Sequence, residues 1–206
     1  MIIKDISQHN LDDIIENCLK ILKNGGIIIT PTDTIYGIIC DAGNTQAVEK
    51  IYQIKRRQYN KPLTIFSNCH QNIEKIALIN PQEKNIIDNL MPGALSLIMN
   101  LKENHLISPN VNQNDRTISV RIPNNQFLLK ILDQIPFLAS TSVNISGQNN
   151  LTNIDQITQQ FNQKVDLVIN CGTIDNKAST IVKIIDGDIK ILREGAILQQ
   201  QITKIL

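Results

Sequence analysis

No tryptophan occurs in the chain, and three tyrosines and four phenylalanines are its only aromatic residues. So few π faces leave little for the base stacking on which single-strand nucleic-acid binders rely. An excess of one charge is also missing: 20 Lys and Arg stand against 19 Asp and Glu, a formal net charge of +1. A global nucleic-acid binder needs a basic balance, and this is not one. Apolar runs stay far below the ~20 residues that a membrane-crossing helix requires. The opening "MIIKDISQHN" has no basic stretch followed by an apolar one. Neither a membrane anchor nor a signal peptide is therefore expected, and a cytoplasmic protein is.

The four cysteines, Cys18, Cys40, Cys69 and Cys171, stand far apart with no C-x-x-C among them. This disfavours a disulfide framework or a zinc site; buried free thiols and no metal site are expected. His9, His70 and His105 lack the H-E-x-x-H pattern and triad-like company, which disfavours a Ser/His/Asp hydrolase. There is no G-x-x-x-x-G-K-[ST] and no G-x-G-x-x-G, so neither familiar phosphate loop is present.

What is present is a 206-residue chain that is 42% apolar and 19% charged, which predicts one globular domain over 1–206. Its 39 isoleucines inflate strand propensity, so short Ile runs are weak signals. Residues 10–24 predict an amphipathic helix through Leu11, Ile14, Ile15, Cys18, Leu19 and Leu22, with Asn10 as N-cap and Gly25-Gly26 as the stop. Helices are also expected at 44–57, 83–90, 124–134, 154–161 and from about 195. Strands are expected at "IIIT", "LTIF", "ALSLIMNL", "TISVRI" and "PFLAS", and near 166–170, 180–185 and 189–192. This alternation, with its late cluster of strands, predicts an α/β sheet of mixed direction, whose ligands bind where strands end in loops.

Four segments have that strand-to-loop character. "PTDTIYG" (31–37) reads as a capped turn, or as a set of hydroxyls and amides suited to a small polar ligand. "KRRQYNKPL" (55–63) closes a helix, where cations suit the dipole. Its Lys55, Arg56, Arg57 and Lys61 also concentrate charge, and phosphate is the ligand that arginine forks match. "ASTSVNISG" (139–147) reads as an Asx/ST turn or as an anion cradle. The fourth set is scattered: "RTISVRIP" (116–123), "ASTI" (178–181) and "ILREG" (191–195). Alone, Arg121 reads as a surface cation paired with an acid, and Arg193 as the partner of Glu194 in a weak local pair. Together these segments add two arginines and three hydroxyls to one side of a sheet.

In order and spacing, "PTDTIYG", K-x-R with K-P-L, "MPGALSL", "TISVRIP", "STSVNISG", "ASTI" and "ILREG" resemble the YrdC family, threonylcarbamoyl-AMP synthases of the TsaC type, over about residues 10–197. The chain reads as the short form, without the extra C-terminal domain of longer relatives. The resemblance implies a twisted open mixed-direction sheet with flanking helices around a large basic cavity. It implies a nucleotidyltransferase that condenses L-threonine, bicarbonate or CO2, and ATP carrying Mg2+ into L-threonylcarbamoyl-adenylate, releasing pyrophosphate. A downstream transfer complex would then modify adenosine 37 of tRNA.

By the same resemblance, Lys55 and Arg57 serve catalysis. Arg57, Lys61, Thr117, Ser142, Asn144, Asn150 and Arg193 contact the nucleotide, and Thr34, Arg121, Ser140 and Ser179 contact threonine. Departures are Arg56 between the K and R, Phe66 where many relatives have histidine, Ala94 and Ser96 within P-G-P-x-T, and Val143 within S-x-N. The chemistry agrees with the residues. A carbamate oxygen attacking an α-phosphorus needs positioning and positive charge more than a covalent nucleophile. Asp33 is available as a base, though no step requires one. One alternative is a double-stranded RNA- or ribosome-binding module using the same cavity; weak RNA binding is also a lesser expectation for the enzyme. Another is a carbamoyl-adenylate former like the YrdC-like domains of hydrogenase maturation proteins, which are longer chains with zinc-finger-like cysteines.

Overall fold

The computed structural model describes residues 1–7, 10–113 and 115–205; His9 lies outside them. Its strands are Ile2–Asp5 (β1), Ile28–Thr30 (β2), Gly37–Asp41 (β3), Thr64–Phe66 (β4), Ala77–Leu78 (β5), Leu95–Leu101 (β6), Thr117–Arg121 (β7), Leu138–Ser142 (β8), Leu167–Asn170 (β9), Thr180–Ile185 (β10) and Asp188–Arg193 (β11). Its α-helices are Leu11–Lys23 (α1), Thr45–Lys55 (α2), His70–Ile76 (α3), Pro81–Leu90 (α4), Gln126–Leu132 (α5), Ile154–Phe161 (α6) and Gln199–Thr203 (α7). All the strands join one open sheet in the order β1-β9-β2-β3-β8-β4-β7-β6-β10-β11, with β5 added to β6. Parallel pairs such as β4/β7 and β6/β10 mix with antiparallel pairs such as β3/β8 and β6/β7, as the alternating pattern predicts.

The apolar runs are continuous because the central strands are covered on both faces. Ile28, Ile39 and Leu138 pack with Cys18 and Leu22 of α1 and Leu128 and Ile131 of α5. Their neighbours Ile29, Ile38 and Ala139 face the other way, toward Ile51 of α2, Ile86 of α4 and Phe161 of α6. Period two along each strand thus feeds two cores. Local signals set the helix ends. Asn10 Oδ1 accepts the Asp12 N–H at 3.0 Å, Asp12 and Asp13 sit in the first turn of α1, and Lys20 and Lys23 in its last.

Several elements differ from expectation. β3 was hidden in an Ile-rich stretch; it returns antiparallel along β2, so "PTDTIYG" is the loop between two hydrogen-bonded strands. β1, α3 and β5 are also additions. The terminal helix is confined to Gln199–Thr203 instead of starting near 195. Cys18 and Cys40 are buried free thiols as expected, whereas Cys69 is half-buried and Cys171 exposed. Among the described residues no helix is long and apolar enough to cross a membrane.

Candidate active site

The register of the central strands lays the site out in rows. Thr64 lies opposite both Ser140 and Ser119, and Ser119 lies opposite Ile98. Phe66 lies opposite Arg121. On β7, Thr117, Ser119 and Arg121 fall at every second position and therefore share one face. These side chains floor a cavity of about 280 Å3, walled by Thr32, Thr34 and Tyr36 from the β2–β3 loop and Gly37 at the start of β3, by Arg57 and Pro62 after α2, and by Ser142, Ser179 and Arg193.

The β2–β3 loop is stitched by Thr32. Its Oγ1 accepts the N–H groups of Thr34 at 3.0 Å and Ile35 at 3.2 Å, which turns Thr34 inward. Gly37 stands where β3 approaches β8 closely: a Cβ there would lie 3.3 Å from Thr32 Cγ2 and 3.4 Å from Ser140 Oγ, a tight fit for a larger residue. Arg121, only 3% exposed, is held at three points. Its Nε donates to Gly93 O at 2.9 Å, Nη1 to Thr34 Oγ1 at 3.1 Å and Nη2 to Asp33 Oδ1 at 2.6 Å. Phe66 supports it, with the guanidinium 5.6 Å from the ring centroid. Burial pulls its pKa down and the Asp33 charge pulls it back up.

Arg57 and Arg193 approach from other sides. Arg57 donates to Lys61 O and Pro62 O, each at 2.8 Å, which fixes the loop after α2. Arg193 donates through Nη2 to Ser179 O at 2.8 Å and Ser179 Oγ at 3.1 Å, and Ser179 Oγ meets Ser96 Oγ at 3.1 Å. The "ASTI" and "REG" segments touch so closely that a Cβ on Gly195 would lie 2.2 Å from Ala178 O. Thr180 Oγ1 completes the joint by accepting the Gly195 N–H at 2.9 Å. Burial lowers the pKa of Arg193, and the charges of Arg121 and then Arg57 lower it further, so the three guanidiniums share one field.

Of the residues expected at the site, Thr34, Arg57, Thr117, Arg121, Ser140, Ser142, Ser179 and Arg193 line this cavity. Lys55, Lys61, Asn144 and Asn150 do not. Lys61 and Asn150 are exposed. Lys55 is fully buried, and its ammonium donates inward to Ser142 O, to Asn144 O at 2.8 Å and to Asn144 Oδ1 at 2.8 Å. Its backbone oxygen accepts the Ser146 N–H at 2.9 Å, so Lys55 shapes the loop after β8 from behind the cavity. Asn144 also accepts from Ser142 Oγ and donates to Gln148 O, which engages both ends of its amide. Thr64, Ser96 and Ser119 join the site although sequence reasoning did not nominate them. For Ser119 the signal was available as the midpoint between Thr117 and Arg121. The basic character of the cavity is that of its three arginines, one of them paired with an acid.

Comparison with known proteins identifies the family. Residues 20–195 match the family model of Sua5, YciO and YrdC proteins, described as telomere recombination. The chain belongs to the Sua5/YciO/YrdC family. A Methanocaldococcus jannaschii relative, provisionally named a threonylcarbamoyl-AMP synthase, is 39% identical over 203 residues, covering 98% of this chain and 95% of that protein. The threonylcarbamoyl-AMP synthase of Bacillus subtilis is 28% identical over 199 residues, and the chain spans 57% of its length. The solved structure of P. abyssi Sua5 complexed with L-threonine superimposes with a TM-score of 0.91 at 24% identity, over 100% of this chain and 61% of that one. That likeness establishes the Sua5/YciO/YrdC fold.

Proposed function

We propose that this family member synthesises L-threonylcarbamoyl-adenylate from L-threonine, bicarbonate or CO2, and ATP, releasing pyrophosphate, as the first step of threonylcarbamoyladenosine formation in tRNA. The observation that carries this reading is the convergence of Arg57, Arg121 and Arg193, from three separate motifs, on one hydroxyl-lined cavity. The names of the relatives give its chemistry.

In this reading the domain holds both substrates in that cavity. Arg121 takes the threonine carboxylate, with Thr34, Ser140 and Ser179 around the amino acid. Arg57 and Arg193 face the phosphates, with Thr117 and Ser142 beside the nucleotide. Lys55 and Asn144 act by fixing the end of β8 that carries Ser142, together with the loop after it. Lys61 and Asn150, both exposed, remain nucleotide contacts in this proposal. The threonine amine adds to CO2 to give a carbamate and a proton. A carbamate oxygen then forms a bond to the α-phosphorus as the bond to pyrophosphate breaks. Arginines at the phosphates stabilise the charge that develops, and alignment of the two substrates supplies much of the acceleration. Mg2+ enters as part of the MgATP substrate. Among the described residues no group of three or more His, Cys, Asp or Glu could hold a metal, and Asp33 is engaged by Arg121. Transfer to tRNA is then the work of a downstream complex in the cytoplasm. The RNA-binding alternative is not favoured, because the relatives are synthases and the chain is nearly neutral.

The test is pyrophosphate release from ATP by the purified protein with Mg2+ and bicarbonate. Release that depends on L-threonine and is not matched by L-serine supports the reading. No release in any combination refutes it.

A further inference from the structure

We propose that Asp33 divides the cavity electrostatically, reserving Arg121 for a single carboxylate and keeping phosphate groups at the Arg57 and Arg193 end; this rests on the synthase reading above. Of the three cavity arginines only Arg121 has a carboxylate partner among the described residues, Asp33 at 2.6 Å. Arg57 and Arg193 bond to carbonyl and hydroxyl oxygens, which leaves their charge uncompensated. The Arg121–Asp33 pair is secluded, with its side chains 4% and 12% exposed, so its field is weakly screened by water.

Asp33 itself does not line the cavity; it grips Arg121 from behind. A guanidinium has five N–H groups. The bonds to Gly93 O, Thr34 Oγ1 and Asp33 Oδ1 engage three, leaving one on each terminal nitrogen. That remainder is free to donate to one carboxylate. A triphosphate meets a different balance there. The pair sums to zero charge, and the nearby carboxylate repels a polyanion, whereas Arg57 and Arg193 attract it without opposition. Without Asp33 the cavity would present three uncompensated cations, and a polyanion would occupy the amino-acid end as well. Asp33 thus acts through Arg121, as a positioning residue that keeps two anionic substrates from competing for one cation.

The test is calorimetric titration of L-threonine into the protein with and without pyrophosphate, for the wild type and Asp33→Asn. The amide keeps the oxygen that accepts from Arg121 and removes the charge. Pyrophosphate is expected to leave threonine affinity unchanged in the wild type and to weaken it about tenfold or more in Asp33→Asn. A purely structural role for Asp33 would lower the melting temperature and leave this dependence flat, which overturns the proposal. Should Asp33→Asn fail to fold, Arg57→Ala decides. Its pyrophosphate affinity is expected to collapse although Arg121 is intact, and retained pyrophosphate that threonine displaces overturns the division. Wild-type protein that binds neither ligand refutes the synthase reading and this proposal with it. Wild type that binds both, alongside an Asp33→Asn variant that behaves identically, refutes the division alone.

Discussion

Two forces oppose each other at Lys55, and the pH dependence of stability measures which wins. Burial, with the Arg57 charge second, pushes the ammonium from an ordinary 10.5 down to about 7. Three oxygens accept from it and favour the protonated form. If burial prevails, the folded state holds fewer protons than the unfolded chain between about pH 7 and 10.5. Stability then rises with pH across that window and is lost as pH falls toward 7. From about pH 7 to about pH 8.5 the gain is roughly 1 to 2 kcal/mol, which raises the urea midpoint by roughly 0.5 M. The upper limit matters because the Cys18 thiol, pushed by burial from 9.0 up to about 12, cancels the Lys55 slope once its unfolded form ionises, and the Cys40 thiol, which burial also raises, turns the sum negative. Urea unfolding followed by circular dichroism at three pH values, with Lys55→Met as control, makes the comparison. The wild-type slope should vanish in the variant. A flat wild type would show that the three oxygens hold the ammonium charged, and a slope that survives in Lys55→Met would assign it to another group.

Arg57→Ala should lower threonine-dependent pyrophosphate release by roughly 100-fold, the scale of losing a donor aimed at developing charge. Because the bonds of Arg57 to the carbonyls of Lys61 and Pro62 secure a single exposed loop, the melting temperature should fall by only a few degrees in a thermal scan. Gly195→Ala should destabilise by about 1 to 3 kcal/mol in urea unfolding, since the added methyl overlaps Ala178 O and must part the "ASTI" and "REG" segments. Asn80→Ala should cost about 1 kcal/mol of stability in the same assay and leave turnover unchanged, because it removes the cap of a helix remote from the cavity.

Much of the site was legible because its residues sit in polar motifs at strand ends, where a packed core offers no use for them. Those motifs drew attention to the right segments, the family resemblance singled out Thr34, Arg57, Arg121, Ser142 and Arg193 within them, and all five line one cavity. What sequence could not convey was direction. Lys55 and Arg57 read as one cationic pair, yet they are separated by Arg56 in a left-handed conformation at φ 51°. That turn sends one side chain into the interior and the other toward the cavity. Asp33 could be read as a local turn former, since its partner lies 88 positions away on another strand. Among the elements, β3 was lost because "GIIC" looks like any other Ile-rich run in this composition. The first turn of α4 was recoverable. "NPQE" carries a cap, a proline at the first helical position and a glutamate three residues on, and both reciprocal bonds form.

The placement of β9 between β1 and β2 has a consequence for biogenesis. Leu167 pairs with Ile2 on one side and Ile28 on the other, so a strand made late fills a gap between two made early. As the chain emerges from the ribosome, β2 presents an unpaired edge carrying Ile28 and Ile29 while more than a hundred residues are still to be synthesised. Such an edge is a template for pairing with a neighbouring nascent chain. Closure therefore waits on the arrival of Leu167–Asn170. Slowed translation or truncation upstream of that segment should yield aggregated protein, even though every motif that builds the cavity floor on β4, β6, β7 and β8 would already have been made.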